Sequence, residues 1–141
     1  PETGFTARAE LLNRLFFGAS RDNVLNTLKG QQAEVWYSRF DWDEEPAPWD
    51  EIYGAAHVFD VAFVLGNFGP SLIGRVAFSK ANETGRLALS TTMMETLAVF
   101  ARTGDPNHPG LGRRWPAWPA TLTFDADKTE VRLDVLPGAG S

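Results

Sequence analysis

The sequence predicts an α/β protein, on three observations. Residues 33–40 read Ala-Glu-Val-Trp-Tyr-Ser-Arg-Phe, aromatic and β-branched side chains that suit a pleated, largely buried strand. Residues 82–102 keep Leu87, Leu89, Met93, Met94, Leu97, Ala98 and Phe100 on one broad face of a long helix. After it, Leu122-Thr123-Phe124 and Glu130-Val131-Arg132-Leu133 alternate like two short strands about a turn at Asp125-Ala126-Asp127-Lys128.

The other elements follow in chain order. Ala7, Leu11, Leu12, Leu15 and Phe16 recur at helical spacing, which predicts a helix over 5–17 stopped by Gly18. A second helix over 23–29 is capped by Ser20 or Asp22, faces Val24, Leu25 and Leu28 inward and ends at Gly30. Residues 41–50 mix acids with Pro46 and Pro48 and form an irregular loop. A helical turn is expected over 60–65, broken by Gly66, then a surface excursion over 67–79 containing Gly69-Pro70 and Gly74. Thr103-Gly104-Asp105-Pro106 ends the long helix, with Met93 and Met94 as core filler, and residues 137–141 form a frayed tail.

At 141 residues with 43% hydrophobic side chains, the chain is one domain in size and can bury a core. Thirteen basic against eighteen acidic residues, a net charge of -5, argues against nucleic acid or an anionic membrane as partner. The lack of cysteine excludes disulfides and thiolate metal sites and leaves the compartment open. No apolar run approaches the roughly 20 residues that cross a bilayer. The opening Pro1-Glu2-Thr3-Gly4 reads as a point inside a longer protein. Asn82-Glu83-Thr84 matches the N-glycosylation pattern and reads as a chance occurrence.

The residue that carries chemistry is His57, in Gly54-Ala55-Ala56-His57-Val58-Phe59-Asp60, a loop after the strand at 33–40. Imidazole titrates near neutrality, so it can take a proton and return it within one turnover. The small neighbours Gly54, Ala55 and Ala56 let backbone approach such a site closely. Downstream come Phe100-Ala101-Arg102-Thr103-Gly104-Asp105-Pro106-Asn107 and then Trp115-Pro116-Ala117-Trp118-Pro119. Asp105-Pro106-Asn107 is turn chemistry, and the two tryptophans read as packing residues. His108, between Asn107 and Pro109 in a polar loop, reads as exposed and without a chemical role.

These three signatures, in this order and spanning about residues 35–124, resemble the C-terminal part of the type-B carboxylesterase and cholinesterase family of α/β-hydrolases. The resemblance implies an incomplete α/β-hydrolase fold: residues 1–30 a helical lead-in, 31–136 its last strands, covering helices and histidine loop, 137–141 a tail. It implies that His57 is the general base of a Ser-His-Glu/Asp triad hydrolysing carboxylic esters, because triad partners in this fold follow the order serine, acid, histidine. Asp60 matches a position where the family usually has an acid; it either joins a hydrogen-bond network holding the loop or caps the helical turn after it. Phe59, Phe63 and Phe68, with Val64, either wall the pocket or belong to the core.

The family's Gly-x-Ser-x-Gly is missing. Gly69-Pro70-Ser71-Leu72-Ile73-Gly74 has the wrong spacing, so Ser71 is a loop residue. The family's acid lies further upstream of the histidine than this chain reaches, and Glu10, Glu34, Glu44 and Glu45 are poor substitutes. The implied partners are therefore the N-terminal part of the same esterase, bearing the serine and the acid, and a small ester; no cofactor or metal is called for. Alone the chain should be inert, because triad groups act as a unit. An alternative is a catalytically inactive cholinesterase-like fold used for binding or adhesion, against which the retained histidine argues. A third is an autonomous binding domain using exposed tryptophans.

Overall fold

The computed structural model describes residue 11 and residues 18–138. The expected first helix over 5–17 and the last three tail residues therefore lie outside the described residues, apart from Leu11, which is helical and exposed. Gly18 does not stop a helix: it has right-handed helical torsions and leads directly into α1, Ala19–Gln31. That helix runs through Gly30, and only Leu25 of its apolar positions is buried; Val24 and Leu28 face solvent.

Three strands form one sheet in the order β1 (Tyr37–Phe40), β2 (Thr121–Ala126), β3 (Val131–Leu136). β2 and β3 are an antiparallel hairpin, as the alternation predicts, although the ladder extends to Ala126 and pushes the turn on. There the Asp127 carboxylate accepts the backbone N–H groups of Thr129 and Glu130, which holds it well below the usual carboxylate range. β1 pairs parallel with β2, Tyr37 opposite Thr121 and Phe40 opposite Phe124. It is shorter than the expected 33–40, because before Tyr37 the chain offers β2's side only a single tie, from Trp118 N–H to the Val35 carbonyl.

Parallel neighbours need a crossover, and everything between β1 and β2 supplies it. The crossover contains α2 (Trp49–Tyr53), α3 (Phe59–Val64), α4 (Leu72–Ala77), the 21-residue α5 (Glu83–Thr103) and a single 3-10 turn (Pro109–Leu111). α2 and α4 fall where irregular loop was expected. Ser71 caps α4 by accepting the Gly74 N–H at 2.8 Å, which is its role in place of chemistry. At the other end of α5, Gly104 takes φ +76° and donates to the Phe100 carbonyl, the stop the sequence predicts.

One core joins α5 to the sheet and α3: Leu89 and Met93 meet Leu122, Phe124, Ala126 and Leu133, with Phe59, Phe63, Trp42 and Trp115 filling between. Across the sheet, Leu25, Val35 and Trp118 form a smaller cluster, where the Trp118 Nε1–H donates to Asn26 at 2.9 Å. Trp115 and Trp118 are thus packing residues, and no tryptophan among the described residues is exposed, which removes the tryptophan-binding-domain reading. The broad apolar face expected of α5 is covered only in part: an inner stripe with Leu89 and Met93 is buried, whereas Leu87, Met94, Leu97 and Phe100 remain exposed. Buried polar side chains share the inner stripe. Ser90 donates to the Phe63 carbonyl at 2.7 Å, and Asn82, fully buried, donates to the Glu44 and Ala77 carbonyls. A folded Asn82 is closed to glycosylation.

Two substitutions test this packing. A Cβ on Gly85 would collide with the Asp127 carbonyl oxygen in the hairpin turn, so Gly85→Ala should cost about 1–3 kcal/mol in urea denaturation. Gly30, also helical but in open space, should gain about 0.5–1 kcal/mol as alanine. A third change tests burial of charge. Glu45 is 3% exposed with neither carboxylate oxygen hydrogen-bonded among the described residues; desolvation, helped by Asp43, Asp50 and Glu44, pushes it from 4.5 up to about 7. Because the fold prefers the protonated form, stability is full in acid and declines as pH rises from 4.5 to 7. Glu45→Gln should therefore stabilise by about 1–3 kcal/mol at alkaline pH and by nothing measurable in acid.

Candidate active site

The loop bearing His57 is built between two fixed points. Upstream, α2 stacks Trp49 on Tyr53 with ring centroids 5.6 Å apart and closes when Gly54 donates to the Asp50 carbonyl. Downstream, α3 is anchored by Phe59 and Phe63, which are 5% and 0% exposed, and by the Ser90 bond to its last turn. Phe63 sits at the centre of an aromatic cluster with Phe40, Trp42, Phe68 and Phe78, its ring 5.0 Å from those of Phe40 and Trp42. Edge-to-face contacts of this kind add about 0.5–1.5 kcal/mol each beyond burial.

Between these points the backbone turns sharply. Gly54 takes φ +51° and ψ -148°, a conformation that only glycine adopts readily. A Cβ there would meet nothing closer than 3.9 Å, so the glycine is required by torsion and not by close approach. Val58, immediately after the imidazole, has φ +82°, a left-handed conformation that costs a β-branched residue about 1–3 kcal/mol. The sequence hid this, since valine argues for extended backbone. The result is an exposed His57 that no side chain or backbone group among the described residues hydrogen-bonds.

Asp60 lies in the first turn of α3, one residue inside it, where a negative charge suits the helix dipole. It is not the cap: Val58 holds that position and no side chain caps the helix. Of the aromatic residues expected as pocket wall or core, Phe59 and Phe63 are core. Phe68 edges a surface cleft with Arg86, and Val64 lines an apolar cavity of about 190 Å³ between β1 and α5. Neither hollow has His57 in its wall.

The acids weighed as substitutes for the family's own are placed as follows. Glu44 pairs with Lys128 at 3.8 Å, Glu45 is buried, Glu34 is exposed, and Glu10 lies outside the described residues; none of the described three bonds to His57. Ser71 is taken up in capping. No group of three or more His, Asp or Glu among the described residues could hold a metal ion, and no described helix is long and apolar enough to cross a membrane.

His108 differs from expectation. It is half-buried, and its Nε2 lies 3.0 Å from the hydroxyl of Thr96, which itself donates to the Thr92 carbonyl at 2.7 Å. A hydroxyl already donating must accept, so Nε2 of His108 carries the proton and pins the 3-10 turn to α5. Asp105 and Asn107 act as expected of a turn: Asn107 N–H bonds the Asp105 carboxylate, and the Asn107 amide brackets the backbone of Trp115.

Residues 2–135 match the model of the carboxylesterase family. Carboxylesterase 3 of Pongo abelii is 40% identical over 93% of this chain, and carboxylesterase 3 of Homo sapiens 39%; the match takes up 22% of each relative. A solved PNB esterase superposes with a TM-score of 0.54 at 29% identity, covering 74% of this chain and 20% of that one. The chain therefore spans about a fifth of the length of the relatives it matches. The chain belongs to the carboxylesterase family and forms a portion of the α/β-hydrolase fold.

Proposed function

We propose that this chain supplies the general base, His57, of a serine carboxylesterase whose nucleophile and acid come from the N-terminal part of the same enzyme. The observation that carries the reading is the presentation of His57: an exposed imidazole on a torsionally fixed loop, set between the first strand and a core-anchored helix, with no hydrogen-bond partner among the described residues. In the reaction the ring accepts the serine hydroxyl proton as the oxygen attacks the ester carbonyl, then returns it to the departing alkoxide. An upstream carboxylate would orient the ring, and backbone N–H groups beside the serine would hold the oxyanion. Asp60 is a positioning residue in this reading: half-buried in the first turn of α3, it steadies the loop that aims the imidazole.

A second feature supports completion by more polypeptide. β1 is an edge strand among the described residues. The Asp41 N–H and the Val35 carbonyl both point to β2's side, so alternation turns the backbone groups of Ser38 and Phe40 to the open edge. An unpaired edge beside exposed Leu97 and Phe100 is a surface that further sheet would cover.

The 141-residue chain alone should not hydrolyse p-nitrophenyl esters above the buffer rate; turnover by a sample whose intact mass shows only this chain would overturn the proposal. Combined with the N-terminal part, His57→Ala should lower kcat at least about a thousandfold. An organophosphonate probe should mark a serine outside this chain, and a label on Ser71 would contradict the reading. Asp60→Asn should lower kcat while KM and the circular dichroism spectrum stay put; a loss of folding in its place would make Asp60 merely structural.

A further inference from the structure

Arg86 is a buried cation without a carboxylate. It is 6% exposed, in the first part of α5, and no ion pair reaches it among the described residues. Its guanidinium rests in the corner made by two rings, 4.5 Å from the centroid of Phe68 and 4.8 Å from that of Phe78. Only Nε is bonded, donating to the Asn82 side-chain oxygen at 3.2 Å. Asn82 is itself immobile, its amide donating to the Glu44 and Ala77 carbonyls. The plane of the guanidinium is thereby set from one side by rings and from one end by an amide, and its two η nitrogens are left without a partner among the described residues.

Those nitrogens are not sealed in. Arg86 lines a cleft of about 380 Å³ together with Phe68, Gly74, Phe78, Lys80 and Arg75. Glu83 is the one carboxylate in its wall among the described residues, and it is engaged by Lys80; three cations thus face a single acid already paired. Gly74 keeps the floor open, because a Cβ there would press on the Gly69 carbonyl at 3.0 Å and on Ser71 Oγ at 3.1 Å. Arginine's donors form a rigid fork that matches a planar carboxylate with two parallel bonds. Removing a cation from water without pairing it is unfavourable, and an anion arriving at the η nitrogens restores that lost solvation.

We propose that this cleft is a carboxylate-binding site, in which the η nitrogens of Arg86 grip both oxygens and Lys80 and Arg75 draw the charge in. It is separate from His57, none of whose loop lines it. The carboxylate comes either from a small free acid or from an Asp or Glu of the polypeptide that completes the enzyme.

Titration of the chain with sodium acetate, followed through the guanidinium nitrogen resonances at constant ionic strength, tests the site. Acetate should shift the Arg86 signals saturably where chloride does not. Arg86→Lys, which keeps charge but loses the fork, should weaken acetate binding about tenfold or more. Lys80→Met, at a side chain 92% exposed and so harmless to folding, should weaken it severalfold. Repeating the titration after adding the N-terminal part separates the sources: continued acetate binding identifies a free acid, and exclusion of acetate with Arg86 signals already shifted identifies a side chain. Only this second arm rests on the reading of His57 as one part of a divided triad. Signals that move neither with acetate nor on reassembly overturn the site, whatever the esterase assays return.

Discussion

The parallel pairing of β1 with β2 constrains the rest of the molecule. Phe40 opposite Phe124 fixes two strands side by side and pointing the same way, and no tight turn can join such strands. The chain between them must leave the sheet at one end and return at the other. It does so with α5, whose 21 residues run about 30 Å at the usual rise, enough to recross the sheet in one element. The chain ahead of α5 is then free to form the His57 loop at the end where β1 stops. The location of the imidazole is thus a consequence of strand direction.

What keeps the crossover in one arrangement is a small set of buried polar ties between elements whose apolar contacts alone would tolerate sliding. Ser90 fastens α5 to the end of α3, Asn82 fastens its start to the loop after β1, Thr96 holds the 3-10 turn through His108, and Asn107 holds Trp115. Each is worth about 0.5–1.5 kcal/mol net, yet leaving one partner buried and unmet costs more, so the set selects register more than it adds stability. The strain at Val58 is sustained in the same way: Phe59 and Phe63 lock the following helix into the core, and the loop has to meet it.

How much of this was legible in the sequence follows from which interactions are local. The second half of the expected first strand, the existence of the hairpin and the long helix were legible, because side-chain period and a terminating Gly104-Asp105-Pro106 are written in adjacent residues. α2 and α4 were missed because prolines and glycines surround them, although Ser71 followed three residues later by Gly74 is a capping signal. The exposed stripe of α5 was misjudged since periodicity marks an apolar face without saying what covers it. The reading of His57 rests on the order of the motifs around it. Val58 could not be, since its torsion is imposed by anchoring on both sides, and Arg86 could not be, since a helical arginine is ordinarily a solvent residue.

The uneven cover of the apolar residues of α5 bears on how a part of a larger fold holds its shape. The inner stripe of Leu89 and Met93 is satisfied by β2 and α3 within the chain, and the aromatic cluster about Phe63 closes that core independently of anything else. Leu97 and Phe100, further along the same helix, stay exposed and line a cavity with Trp36 and Ser38, next to the strand whose outer edge is unpaired among the described residues. Hydrophobic surface and unpaired strand backbone occur together there, which is the combination a continuing sheet layer requires. The segment therefore has its interior complete and its boundary unfinished.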